Sequence, residues 1–117
     1  MNDNVLETKM HELRKLGKDY AEAKKNVTIL EHGRKILLSK LMKEKMINSN
    51  TGKLDSVNAQ EREARTDERY QKHIEALGHA VQQEAELYWE KTIVQLNFEA
   101  WKTKMISDMK ERKNYNA

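Results

Sequence analysis

The chain has 117 residues, 35% of them charged and 6% aromatic, with a formal net charge of +3 and a mean hydropathy of −0.97. That length allows one domain at most, and that polarity excludes a well-filled globular core. The lack of cysteine excludes disulfides and thiolate metal sites, and no apolar run reaches the roughly 18 residues of a membrane span. With no proline, four glycines and abundant Glu, Lys, Leu and Ala, the composition fits long helices or a coiled coil. The modest net charge and regular apolar spacing separate it from a disordered chain.

The amino terminus shows no basic segment followed by an apolar one, so no secretion signal is expected. Asp3 or Asn4 can cap a first helix, with Glu7 in its first turn. Leu6, Leu13, Tyr20, Val27, Arg34 and Leu41 then repeat every seven residues, with Leu16, Ala23, Leu30 and Leu37 as the companion set. This is the spacing of a packed, supercoiled helix. Arg34 breaks the apolar rule, so it either snorkels outward or meets a carboxylate across the seam. Gly17 and Gly33 each cost about 1 kcal/mol relative to alanine. The heptad keeps its phase through both, so one helix is expected over about 3–47.

Asn48-Ser-Asn-Thr-Gly-Lys53 is a polar turn cluster, giving a loop over 48–55 and making its flanking helices antiparallel neighbours. Ser56 or Asn58 can start a short helix over about 56–65, and Asn58 with Glu61 has capping-box spacing. Thr66-Asp67 is a further start, for a long helix over about 67–113. The short and long helices are either separate or fused. In the long helix Tyr70, Ile74, Leu77, Val81 and Tyr88 form a stripe suited to docking on the first helix. The polar tail after Met109 is expected to fray.

From Leu87 to Ile106 the apolar surface spreads around the helix. This stretch holds both tryptophans and the only phenylalanine. At about 100° per residue, Leu87, Val94, Phe98, Trp101 and Met105 lie on one stripe. Trp89, Ile93, Leu96 and Ala100 lie on another. One partner helix covers only one of them. The other, carrying either Trp89 or Trp101, needs a second chain or a different protein.

The segment Ser56-Val-Asn-Ala-Gln-Glu-Arg-Glu-Ala-Arg-Thr-Asp-Glu-Arg-Tyr70 resembles a segment of the form S-V-A-A-Q-E-R-E-A in small helical phage-encoded proteins. The likeness is close over 56–70 and looser over 10–105, where Leu37–Glu44 resembles their lysine-rich helix and Phe98–Trp101 their tryptophan-bearing one. The chain departs from them at Arg65-Thr66, where an aromatic residue and a proline-containing turn are usual. The resemblance implies a non-enzymatic accessory of recombination or replication gene modules, located in the host cytoplasm. Read physically, the segment is a solvated connector helix with a Glu61–Arg65 pair, or a charged knob for a protein partner.

No constellation of nucleophile, tuned acid or base, and pocket is evident, and no glycine-rich phosphate loop. No enzymatic activity and no cofactor are expected. His11, His32, His73 and His79 lack the three or four ligands of a zinc site, so they read as surface residues, with His32 partly buried beside the seam. Lys102, Lys104, Lys110, Arg112 and Lys113, near Trp101 and Tyr115, form a basic carboxy terminus that can neutralise phosphates. The competing reading pairs these residues with Asp3, Glu7 and Glu12, and pairs residues 34–45 with Glu68, Glu75 and Glu84. Two apolar stripes favour core packing over membrane insertion.

The expected fold is therefore all-α: a long antiparallel helical hairpin, coiled-coil-like, with a short connector helix and in oligomeric form, with a homodimer expected. The expected function is protein–protein binding to recombination, replication or host machinery. Interface candidates are Leu87, Trp89, Ile93, Leu96, Phe98, Trp101 and Met105. The alternatives are a small basic single-stranded-DNA-binding protein and a structural coiled-coil scaffold.

Overall fold

The computed structural model describes residues 2–116 and is all-helical apart from its connections. Helix α1 spans Asn2–Glu44, α2 Val57–Thr66 and α3 Glu68–Asn116. The contacts divide into two compact units. One joins the start of α1, through Glu22, to α3 from Ala85 onward; the other spans Ala23–Glu84.

Helix α1 starts ahead of both expected caps and runs through Gly17 and Gly33. It stops at Glu44, before the expected end near 47, because the next backbone groups are used elsewhere. Ile47 and Leu54 form an antiparallel bridge. Asn48 N–H donates to the Lys53 carbonyl, and Asp55 N–H to the Met46 carbonyl, each at 2.8 Å. The Asn48 side chain holds the turn closed. Its Oδ1 accepts from the amides of Asn50 at 2.8 Å and Thr51 at 3.3 Å, and its Nδ2 donates to Asp55 Oδ1. Gly52 sits at φ +66°, a left-handed conformation that glycine adopts without steric cost.

Of the two expected starts for the short helix, Ser56 is the cap: its Oγ accepts from Ala59 N–H at 3.2 Å. Asn58 lies inside α2. Asp67 separates α2 from α3, since its backbone is extended, with ψ 137°. Its Oδ1 accepts from the Arg69 amide at 2.9 Å, the usual competition of a short acidic side chain with helix propagation. Gln60 and Ala64, four apart on one face of α2, are both buried. Ala64 at 0% exposure packs with Leu41 at 1% and with Tyr70, and Leu37, Leu38 and Met42 surround them. The Gln60 amide is satisfied by donating to the Asp55 carbonyl at 2.9 Å.

Four charged groups tie the end of α1 to the start of α3. Arg69 Nη2 lies 2.6 Å from Glu44 Oε2 and 3.0 Å from Asp67 Oδ2, and Lys45 Nζ is 3.5 Å from the same Asp67 oxygen. The Arg69 guanidinium holds the Asp67 carboxyl well below its ordinary range and also lowers Glu44. Both acids therefore bind protons less readily when folded than when unfolded. Their contribution is present above the ordinary carboxylate range, about pH 4. It is lost as pH falls from there through the depressed folded values. Thermal melting should show wild type losing stability below about pH 4, and Asp67→Asn should flatten that loss. Equal slopes for the two proteins would contradict it.

Within each unit the inward positions of α1 and α3 repeat at gaps of three and four. In the Ala23–Glu84 unit they are 23, 27, 30, 34, 37 and 41 on α1, and 70, 73, 77, 80 and 84 on α3, all buried or half-buried. In the other unit they are 9, 13, 16 and 20 on α1, and 87, 91, 94, 98, 101 and 105 on α3. The contacts run in opposite senses along the two helices. Lys9 meets Trp101 and Tyr20 meets Tyr88 in one unit; Leu30 meets His73 and Glu44 meets Arg69 in the other. The helices are thus antiparallel within each unit.

Several inward positions are polar, and four have specific partners. Lys9 Nζ sits 5.7 Å from the Trp101 ring centre. Lys91 Nζ lies beside a pair of tyrosine rings that are themselves 5.9 Å apart, 5.4 Å from the Tyr20 ring and 5.8 Å from the Tyr88 ring, which are cation–π distances. Arg34 does not meet a carboxylate across the seam. It hydrogen-bonds to Tyr70, which raises its pKa further, and pairs at 3.6 Å with Glu31 of its own helix. His73 Nε2 lies 2.8 Å from the Leu30 carbonyl oxygen. A Cβ on Gly33 would come within 3.1 Å of that ring, so close approach accounts for Gly33. Nothing crowds Gly17.

Candidate protein-binding surface

The structure separates the two apolar stripes of α3. Leu87, Val94, Phe98, Trp101 and Met105 are half-buried and face inward. Phe98 and Trp101 stack with ring centres 5.9 Å apart. The face of Trp101 is therefore already occupied by Phe98 and Lys9. Trp89, Ile93 and Leu96 face solvent at 63%, 54% and 63% exposure, with exposed Ala100 continuing the row. This row lies roughly 150° around the helix from the inward one, at about 100° per residue. The Tyr88 ring meets the Trp89 ring edge-on at 5.9 Å and braces it from one side.

Helix α3 holds these side chains firmly in register. Its inward row is anchored on α1 by Lys9, Tyr20 and Leu16, and an α-helix fixes the angle between its faces. The outward row has gaps of four, three and four, the spacing of side chains that interdigitate with another helix. Its chemistry is apolar and aromatic, suited to docking a protein surface, with no titratable group among the four.

The basic candidates are arranged differently. Lys102, Lys104, Lys110, Arg112 and Lys113 are all exposed. Lys102, Lys110 and Lys113 fall within about 80° of one another, but Arg112 and Lys104 lie outside that arc and the five together span about 240° of the helix, so they form no single narrow track for a phosphate backbone. Tyr115 is 94% exposed and Trp101 is covered, so no pair of aromatics flanks them. Among the described residues no ion pair links them to Glu7 or Glu12; the Asp3 side chain lies outside the described residues. Nor do residues 34–45 pair with Glu68, Glu75 or Glu84. Among the described residues the ion pair between α1 and α3 is Glu44–Arg69, and Lys45–Asp67 joins the residues just outside the two helices.

His32 is exposed, and His73 is the half-buried histidine beside the seam. Among the described residues no three His, Asp or Glu side chains gather as metal ligands would. The loop and the start of α2 carry exposed apolar residues that sequence reading missed. Ile47, Leu54 and Val57 are all more than half exposed, the first two presented by the bridge that closes the polar turn and Val57 by the first turn of α2. The available signal was the pair Ile47 and Leu54 on either side of the six polar or glycine residues at 48–53.

No described helix is long and apolar enough to cross a membrane. Comparison with protein-family models, curated proteins and solved structures finds no match.

Proposed function

We propose that this chain is a non-enzymatic protein that acts by binding another protein, with Trp89, Ile93 and Leu96 of α3 as the contact surface. One observation carries the reading. Three large apolar side chains stand more than half exposed in one row, on a helix whose opposite row already faces α1. Leaving such a row in water forgoes about 1.5–3 kcal/mol for each large side chain, and rows of this kind mark interaction sites. The antiparallel pairing within each unit supports a helical hairpin as the scaffold. A role in phage recombination or replication, or on host machinery in the cytoplasm, rests on the resemblance of residues 56–70.

Direct binding of single-stranded DNA ranks below this, because the basic residues are scattered and Trp101 is covered. The test is affinity capture from host cells, comparing wild type with the Trp89→Glu/Ile93→Glu/Leu96→Glu variant. The variant should remain helical and lose the proteins that wild type retains. Retention of every partner by a folded variant would overturn the reading.

A further inference from the structure

We propose that the outward row of α3 is covered by α3 of a second copy of this chain, running antiparallel, with each Trp89 seated over Ala100 of the other copy. The proposal rests on the reading of this row as a protein-binding surface and names the protein that binds it.

The side-chain sizes along the row select the arrangement. In chain order they are Trp89, Ile93, Leu96 and Ala100, which is very large, large, large and small. A two-fold interface brings the same row from both copies together. If the helices run parallel, each residue meets its own counterpart. Trp89 then meets Trp89 and Ala100 meets Ala100, giving one overfilled layer and one underfilled layer. If they run antiparallel about an axis between Ile93 and Leu96, every layer pairs unlike residues. Trp89 faces Ala100, Ile93 faces Leu96, and the two remaining layers repeat these by symmetry. The largest side chain is then matched with the smallest, and the layers fill evenly, as close-packed interiors require.

Charge agrees with this register. Glu90 and Lys104 flank the row on the same side of the helix. In the antiparallel register Lys104 of one copy lies about one and a half helical turns beyond Glu90 of the other. Helical side chains lean toward their own amino termini, so these two lean toward each other. Trp89 is 63% exposed, with the Tyr88 ring edge-on to it at one side, so much of the indole surface is open to cover a small residue.

The experiment is sedimentation equilibrium of the full chain over the micromolar range, on wild type and a size-swap set, with helicity followed by circular dichroism. Wild type should dimerise. Trp89→Ala and Ala100→Trp should each weaken the dimer by about tenfold or more. The double variant Trp89→Ala/Ala100→Trp, which exchanges the two sizes, should recover to within about threefold of wild type. These positions are exposed in the single chain, so all variants should stay helical. The natural chain has no cysteine, so orientation can be read separately. On mixing, Ile93→Cys and Leu96→Cys chains should form the mixed disulfide in preference to either symmetric one.

A dominant symmetric disulfide at position 93, or a double variant no tighter than the single ones, would overturn the antiparallel pairing. A monomeric wild type would overturn self-association. If stripe variants then still lost a captured partner, the protein-binding reading would stand without it. If they lost none, both would fall.

Discussion

Replacing Trp101 with glutamate is expected to destabilise the chain by about 3 kcal/mol, the lower end of the range for truncating a large packed aromatic. The lower end applies because Trp101 is half-buried. Its ring is stacked on Phe98 and capped by Lys9; a carboxylate there can pair with the Lys9 ammonium but cannot replace the stacking and packing of the ring. Trp89→Glu should change the stability of the dilute chain by no more than about 0.5 kcal/mol, as surface substitutions do, because at 63% exposure the indole has little packing to lose. Urea unfolding at concentrations below association separates the two. Equal losses would show that both tryptophans support the fold.

In the Ala23–Glu84 unit, Leu41→Ala should have the largest effect of any single truncation. Leu41 is 1% exposed and packs against Ala64 and Tyr70, so α1, α2 and α3 meet at its side chain. Leucine-to-alanine changes at such sites cost about 2–5 kcal/mol, more where the cavity cannot collapse. Three helix backbones around the site leave little room for collapse, so the upper half of that range is expected. Leu6→Ala provides the contrast. Leu6 belongs to the same seven-residue repeat in the sequence, yet it is 42% exposed, and its truncation should cost well under about 1 kcal/mol. Matched losses at Leu6 and Leu41 would contradict the burial pattern.

That contrast shows how far the sequence could be read. Along α1 the positions from Leu13 to Leu41 face inward as their spacing requires. At the amino end Lys9, held by the Trp101 ring, takes the inward place in preference to Leu6. A hydrophobicity pattern cannot anticipate a lysine chosen for a ring face. The first half of α3 was harder for the same reason. Ile74, Val81 and Tyr88 form an apolar stripe, but all three are exposed. The inward row passes through His73, Ala80 and Glu84, residues that periodicity counts as polar or weak. His73 earns its place through the Leu30 carbonyl and the space left by Gly33. The two rows between Leu87 and Met105 were legible as rows. Which of them faced α1 was not, because both are apolar, and the choice depends on how Tyr20, Lys91 and Tyr88 interlock.

The segment 56–70 has a clear structural role. Ser56 caps α2, Gln60 and Ala64 form its buried face, and Tyr70 completes the same cluster. Glu61 and Arg65 pair on the exposed side at 2.7 Å, where such a pair adds little. The buried positions of this segment are therefore those the fold depends on, and the solvent-facing charges are the part available to a partner.

Helix α3 presents two apolar rows, one facing α1 and one exposed, and the proposed function assigns the exposed one to a second protein surface. The most direct measurement is acrylamide quenching of each tryptophan alone, with the other replaced by phenylalanine, over rising protein concentration. Trp101 should be protected at every concentration. Trp89 should be readily quenched in dilute solution and become protected as concentration rises and the outward row is covered. Ready quenching of Trp89 throughout, with no protection at high concentration or on adding host-cell extract, would contradict a binding role for that row.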